Sequence, residues 1–190
     1  VKVQAAGALG ALQAQVAVPR LIDLLDSPNE VVQIAAANAL GEISSPTALP
    51  ALGRASESVG MSLHAAAISA LGACHDTSSA PRQSADALRR TRQALDDVFV
   101  SVRIAGIVSL RGFDYRGSID DLLRLLHDPS AEVQHVAVQA LGEITGIGHG
   151  AWENHPAPDM RLITGALDSV ATATTNAAVR ERARQSLAKI

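Results

Sequence analysis

Apolar and polar positions alternate along this chain with a helical period, and the pattern returns at a fixed interval. Leu9-Gly10, Leu40-Gly41 and Leu71-Gly72 are spaced 31 residues apart, and Leu110 and Leu141-Gly142 are spaced by 31 again. The residue eight before each leucine is Val1, Val32, Leu63, Val102 and Val133, and the residue four before is Ala5, Ala36, Ala67, Gly106 and Ala137. A sixth copy closes the chain at Val179, Ala183 and Leu187. Registers eight, five, four and one before the leucine share one face of a helix, and most copies fill them with aliphatic or small residues. These positions predict one buried helix per copy, with Ala and Gly at the places where neighbouring axes come close. Gly41, Gly72 and Gly142 follow the last buried leucine, where a left-handed glycine would end the helix.

A second helix per copy is predicted from Val18-Pro19-Arg20-Leu21-Ile22-Asp23-Leu24-Leu25 and from Leu49-Pro50-Ala51-Leu52, with proline suited to a first helical turn. The segments Asp26-Ser27-Pro28-Asn29-Glu30 and His127-Asp128-Pro129-Ser130-Ala131-Glu132 read as tight turns that cap the helix that follows. Each unit is therefore helix, short turn, helix, and a fixed period of this length is the signature of a repeat architecture.

The composite pattern V-P-x-L-x-x-L-L-x-D-x-x-x-x-V-x-x-x-A-A-x-A-L-G resembles HEAT repeats, in particular the short HEAT-like subtype also seen in phycobilisome lyases. The resemblance covers nearly the whole chain. It implies an all-α fold, a right-handed α-solenoid (superhelix) of HEAT-like helix-turn-helix repeats, whose second helices line a concave surface. It also implies a single repeat domain over residues 1–190 that serves to bind other proteins. Val1-Lys2-Val3-Gln4-Ala5-Ala6 reads as the middle of an amphipathic helix, so the chain is expected to be a fragment of a longer protein, its terminal half-repeat lacking a cap. The period stretches to 39 residues between Leu71 and Leu110 and to 46 between Leu141 and Leu187. Longer inter-repeat insertions are expected near 73–87 and 145–160. The first is polar and turn-rich, a solvated loop followed by a longer first helix. The second holds Trp152, the only tryptophan.

Composition changes this picture in one respect. The chain carries 35 alanines but only 2% aromatic residues, so stacked helices must pack through small and aliphatic side chains. A net charge of −3 and a pI near 6.1 remove the basic footprint of a nucleic-acid binder, and no nucleic-acid partner is expected. The arginines at 89, 90 and 92 and at 180, 182 and 184 read as solvated faces. No apolar run is long enough to span a bilayer, and the lone Cys74 calls for no oxidising compartment, so a cytoplasmic location is the default expectation.

On the second helices, registers six, three and two before the leucine are expected to face away from the core. They carry Val3, Ile34, Ala65 and Ile104 at six, and Ala6, Ala37, Ile68, Ile107 and Val138 at three, with Val108 at two. Exposed together, they would form an aliphatic stripe suited to a protein partner or to self-association; covered by the first helix and the neighbouring second helices, they would instead only widen the buried arc. The candidate partner-binding residues are Ile34, Asn38, Ile68, Arg103, Ile104, Ile107, His135, Val138 and Trp152, the polar members giving orientation. His64, Ser69, Gln134 and Gln139 are expected to orient a partner in the same way.

No nucleotide-binding loop, hydrolase elbow or zincin motif occurs, and no catalytic residue, metal or cofactor is assigned. His149, Glu153 and His155 in the second insertion lack an evident fourth ligand. The HEAT-like deoxyhypusine hydroxylases hold iron through His-Glu pairs. The nearest matches here, His75-Asp76 and His127-Asp128, lie in or near turns. Cys74 beside His75 reads as a packed cysteine, not as a nucleophile. The expected function is a non-catalytic scaffold. The alternative implied by the lyase subtype is a bilin lyase or chaperone-like subunit whose groove holds an open-chain tetrapyrrole. A HEAT-like DNA glycosylase is disfavoured by charge and by the scarcity of aromatics.

Overall fold

Helix boundaries in a computed structural model follow the repeat register. The structure describes residues 1–113, 118–145 and 160–188. Eleven α-helices occur among them: α1 (Lys2–Ala11), α2 (Val18–Leu25), α3 (Glu30–Ile43), α4 (Leu49–Ala55), α5 (Met61–Cys74), α6 (Pro81–Ala94), α7 (Val100–Leu110), α8 (Ile119–Leu125), α9 (Ala131–Thr145), α10 (Met160–Ala173) and α11 (Ala177–Leu187). The chain divides into two compact units, Val1–Phe113 and Asp114–Ile190. In the first, α1, α3, α5 and α7 pack in succession, and α2, α4 and α6 each back onto the second helix that follows. In the second, α8 and α10 stand in the same relation to α9 and α11.

Every turn between the two helices of a repeat is tied in the same way. Thirteen residues before the leucine, a short side-chain oxygen accepts the backbone N–H two residues on. The pairs are Ser27 with Asn29 (3.2 Å), Ser58 with Gly60 (3.1 Å), Asp97 with Phe99 (2.8 Å), Asp128 with Ser130 (2.7 Å) and Thr174 with Asn176 (3.2 Å). Ser, Asp and Thr recur there because a short polar side chain can mimic a turn hydrogen bond. Asn29 and Asn176 then cap α3 and α11 by accepting the N–H groups of residues two and three further on. The capping turns expected from sequence are present, with a recurring acceptor that the leucine register alone did not single out.

The first insertion forms a polar loop followed by a lengthened first helix, as its sequence suggests. Counted back from their leucines, α4 and α6 end at the same register, but α6 has 14 residues where α4 has 7. The added residues form two extra turns at its N-terminal end. Residues 75–80 before it form the polar loop, closed by the Asp76 carboxylate on Ser78 N–H (2.8 Å) and Ser79 Oγ (2.6 Å). At the other end, Arg90 joins Asp86 (2.8 Å) to Glu57 of the preceding turn (2.7 Å). The second insertion lies mostly at 146–159, outside the described residues.

The glycines after the leucine do not end their helices. α3, α5 and α9 run on to Ile43, Cys74 and Thr145, and none of the described glycines has positive φ. The left-handed cap of α3 is Ser44 instead, at φ 56°. The glycines mark where successive second helices touch. A β-carbon on Gly41 would sit 3.2 Å from the Ala70 β-carbon, and one on Gly10 would lie 2.9 Å from the Ala39 α-carbon. On Gly72 it would run into the Ser109 carbonyl, and on Gly142 into the Ser186 side chain. The partner in each case stands one residue before the next leucine. At 100° per residue these two registers lie on opposite flanks of a helix, which is what a stack requires.

This contact predicts that equal substitutions have opposite effects. Gly72→Ala should destabilise unit one by about 1–3 kcal/mol, because backbone must shift to admit the methyl. Gly7→Ala, which meets open space, should gain up to about 1 kcal/mol from helix propensity. Urea unfolding followed by circular dichroism measures both, and equal midpoints for the two variants would refute the contact.

Candidate functional site: the exposed face of the second helices

Burial divides the predicted stripe in two. Ile68, Ile107 and Val138, all at register three, are core residues with 1%, 1% and 0% exposure, and Ala6 and Ala37 are buried beside them. They are not available to a partner. The reason is angular: register three lies about 60° from the leucine, inside the arc covered by the flanking helices, whereas registers six and two lie about 120° and 160° away. Ile34, Ile104 and His135 at register six are half-buried, and Asn38 at register two is exposed. Val108, also at register two, is 47% exposed.

Arg103 is also corrected. It is buried, and its guanidinium donates to the carbonyls of Asp97 (2.8 Å) and Val98 (3.4 Å), clamping the turn before its own helix. Gln134 makes the same bond to the Asp128 carbonyl at 2.7 Å. Both stand seven before the leucine, so this register serves the turn. Trp152, with His149, Glu153 and His155, lies outside the described residues.

The face that remains follows a spacing of four: registers six and two before the leucine and two after it. In unit one it presents Ile34, Asn38 and Glu42 on α3, Ala65, Ser69 and Ala73 on α5, and Ile104 and Val108 on α7. A groove of about 360 Å³ runs between α3 and α5, lined by Asn38, Glu42, Ala66, Ser69 and Ala73 with Gly41 and Ala70 at its base. Glu42 and Ala73 were not singled out from sequence, although their place one helical turn beyond register two could have shown them. In unit two, His135 and Val136 of α9 face Ala178 and Val179 of α11 across a second groove of about 360 Å³, with Glu132 and Asn176 at its ends. Small residues keep both grooves shallow, and charge is sparse.

The titratable groups near the first insertion are occupied structurally. Cys74 is buried, its thiol donates to the Leu40 carbonyl at 3.3 Å, and burial pushes its pKa up to about 12. His75 Nδ1 lies 3.1 Å from the Gly72 carbonyl, so this nitrogen carries the proton, and the ring packs on Phe113 at 4.8 Å. The hydrogen bonds from Ser79 and Ser78 hold the Asp76 carboxyl below its ordinary pKa. Those from Arg90 and Arg89 do the same for Asp86. Among the described residues no three His, Cys, Asp or Glu side chains converge as metal ligands, and no helix is long and apolar enough to cross a membrane.

The HEAT-repeat family profile matches residues 1–72 and 88–188. No curated protein sequence matches significantly. Among solved structures, the complex of CpcE and CpcF of phycocyanin lyase from Nostoc sp. PCC7120 is 26% identical, covering 72% of this chain and 86% of the matched chain with a TM-score of 0.64. An engineered protein is 20% identical over 98% of this chain and 90% of its own, at 0.60. A designed armadillo repeat protein in complex with the peptide (KR)4 is 17% identical over 98% and 90%, at 0.63. The latter two likenesses concern the fold alone, an all-α repeat solenoid.

The state of Cys74 gives a direct check on the chemistry. In native protein at pH 8 it should resist a thiol reagent such as dithionitrobenzoate and react fully once denaturant is added, since a buried thiol with so high a pKa offers almost no thiolate. Rapid labelling of the folded chain would contradict this.

Proposed function

The chain belongs to the HEAT-repeat family, and from that premise we propose that it is a non-catalytic scaffold whose second-helix face binds another protein. The observation that carries this reading is the spacing of exposed side chains. Three registers, four residues apart, bring aliphatic and small polar groups to the same side of successive helices, with a groove between α3 and α5. The helices are packed before any partner arrives, so binding needs little ordering of the backbone. Asn38 and Ser69 supply hydrogen-bonding groups, while Ile34, Ile104 and Val108 supply apolar contact. His135 contributes in the same way to the groove of unit two, and Trp152, the only tryptophan of the chain, is the proposed aromatic anchor. The cytoplasm is the proposed compartment, on the ground that the single cysteine forms no internal disulfide.

A second reading is favoured by one observation, the 26% identity to the phycocyanin lyase complex. In that reading the groove holds an open-chain tetrapyrrole and the chain acts as a bilin lyase or chaperone-like subunit. An absorbance shift on mixing the purified chain with a free bilin would support it, and an unchanged spectrum would count against it.

For the scaffold, affinity purification with the immobilised chain followed by mass spectrometry should recover partners. Val108→Asp and Asn38→Arg, made at exposed positions, should lose that capture by tenfold or more while helicity is unchanged. Ile107 is unsuitable for such a test, because a charge in its buried site would unfold the protein. Undiminished capture by both variants would remove the face from consideration.

A further inference from the structure

On every second helix after α1, one apolar stripe is covered by the first helix of the same repeat. The stripe consists of registers eight and four before the leucine, the leucine itself and the position three beyond it, which share one side of the helix. On α3 it is Val32, Ala36, Leu40 and Ile43, all buried, and α2 packs against that helix. In the same way α4, α6, α8 and α10 stand against α5, α7, α9 and α11. On α1 the stripe is Val1, Ala5, Leu9 and Leu12, a near copy of the one on α3. Among the described residues no helix covers it: Ala5 is exposed, Leu9 is half-buried and Leu12 is 78% exposed.

The open area continues past the end of the helix. Besides α3, α2 touches the next first helix, α4, and the 3-10 turn Pro46–Ala48 that leads into it. The corresponding turn after α1 is Gln15–Ala17, and its Val16 is 89% exposed. Leu12 and Val16 thus belong to one footprint, the one that α2 covers a repeat later. The only charged side chain of α1 is Lys2, seven before the leucine and off the stripe, so apolar spacing selects the occupant here and charge does not.

We infer that this footprint is a docking site, separate from the second-helix face, for an amphipathic α-helix of a partner protein that sits on α1 as α2 sits on α3. The chain's own first helices define what such a helix carries: aliphatic residues three or four apart over two turns, as in Val18, Leu21 and Leu25 of α2 and Ile163, Leu167 and Val170 of α10. A second copy of this chain is disfavoured as occupant, because its α2, α4, α6, α8 and α10 are already packed on their own second helices and none is free to be lent. One helix on a few side chains makes a small interface, and a Kd on the order of 10 μM is expected.

The probe is a labelled peptide copying residues 15–28, held helical by a lactam bridge on its polar side and read by fluorescence anisotropy against the full chain. A control peptide carries Leu21→Ser and Leu25→Ser. The peptide does not compete for α3, where the chain's own α2 is tethered at roughly millimolar effective concentration or higher. It should bind with a Kd on the order of 10 μM, and the control at least tenfold more weakly. In the chain, Leu12→Ser with Val16→Ser should weaken binding about tenfold. Both residues are exposed, and circular dichroism confirms that the variant is folded. Val108→Asp should leave binding unchanged, which separates this site from the second-helix face. Equal binding of the two peptides, or binding indifferent to the change at Leu12 and Val16, would overturn the inference. So would sedimentation of the chain alone showing a dimer that the same pair of substitutions dissolves, since α1 would then be covered by a second α1.

Discussion

Everything else in this molecule depends on how closely one second helix can approach the next. In each unit the approach is set by a glycine one residue after the register leucine, meeting an alanine or serine one residue before the following leucine. A glycine inside a helix costs about 1 kcal/mol of propensity. Here that cost is offset because the axes come near enough for the leucine and valine faces to close without voids. The same closeness explains a core with almost no aromatic side chains: rings would hold the helices apart, and alanine does not.

Close packing also decides which surface is left for work. Flanking helices cover each second helix through register three, so the free arc is narrow and centred on registers six, two and two beyond the leucine. On α5 the side chains there are short, Ala65, Ser69 and Ala73, and the groove beside it is correspondingly shallow. Such a surface suits contact with another macromolecule better than enclosure of a small substrate. The thiol, imidazole and carboxylate groups near the first insertion are tied into packing or loop closure.

The turns show a different economy. A short acceptor thirteen residues before each leucine closes the turn, and a long polar side chain seven before the leucine, Arg103 or Gln134, clamps it from the helix side. With the backbone held by these bonds, the outward residues of the turn are released from structural duty. In unit one those outward residues are apolar and acidic, which gives the two sides of the stack distinct character.

The sequence by itself determined the helix pairs, their register, the capping turns and the stretched first helix. These follow from local periodicity and turn chemistry, which act within a few residues. It also determined that Leu40, Leu71 and Leu110 are buried. The exposure of neighbouring aliphatic residues was decided only by the tertiary structure. Ile104 and Ile107 have the same composition and lie three residues apart, yet one is half-exposed and the other is core. The difference comes from how far around each helix its neighbours reach. For the same reason the glycines looked like helix ends in sequence and proved to be contact points, and Arg103 looked like a surface cation and proved to be a clamp. Sequence fixes which residues share a face, whereas the width of the covered arc depends on helices distant in the chain.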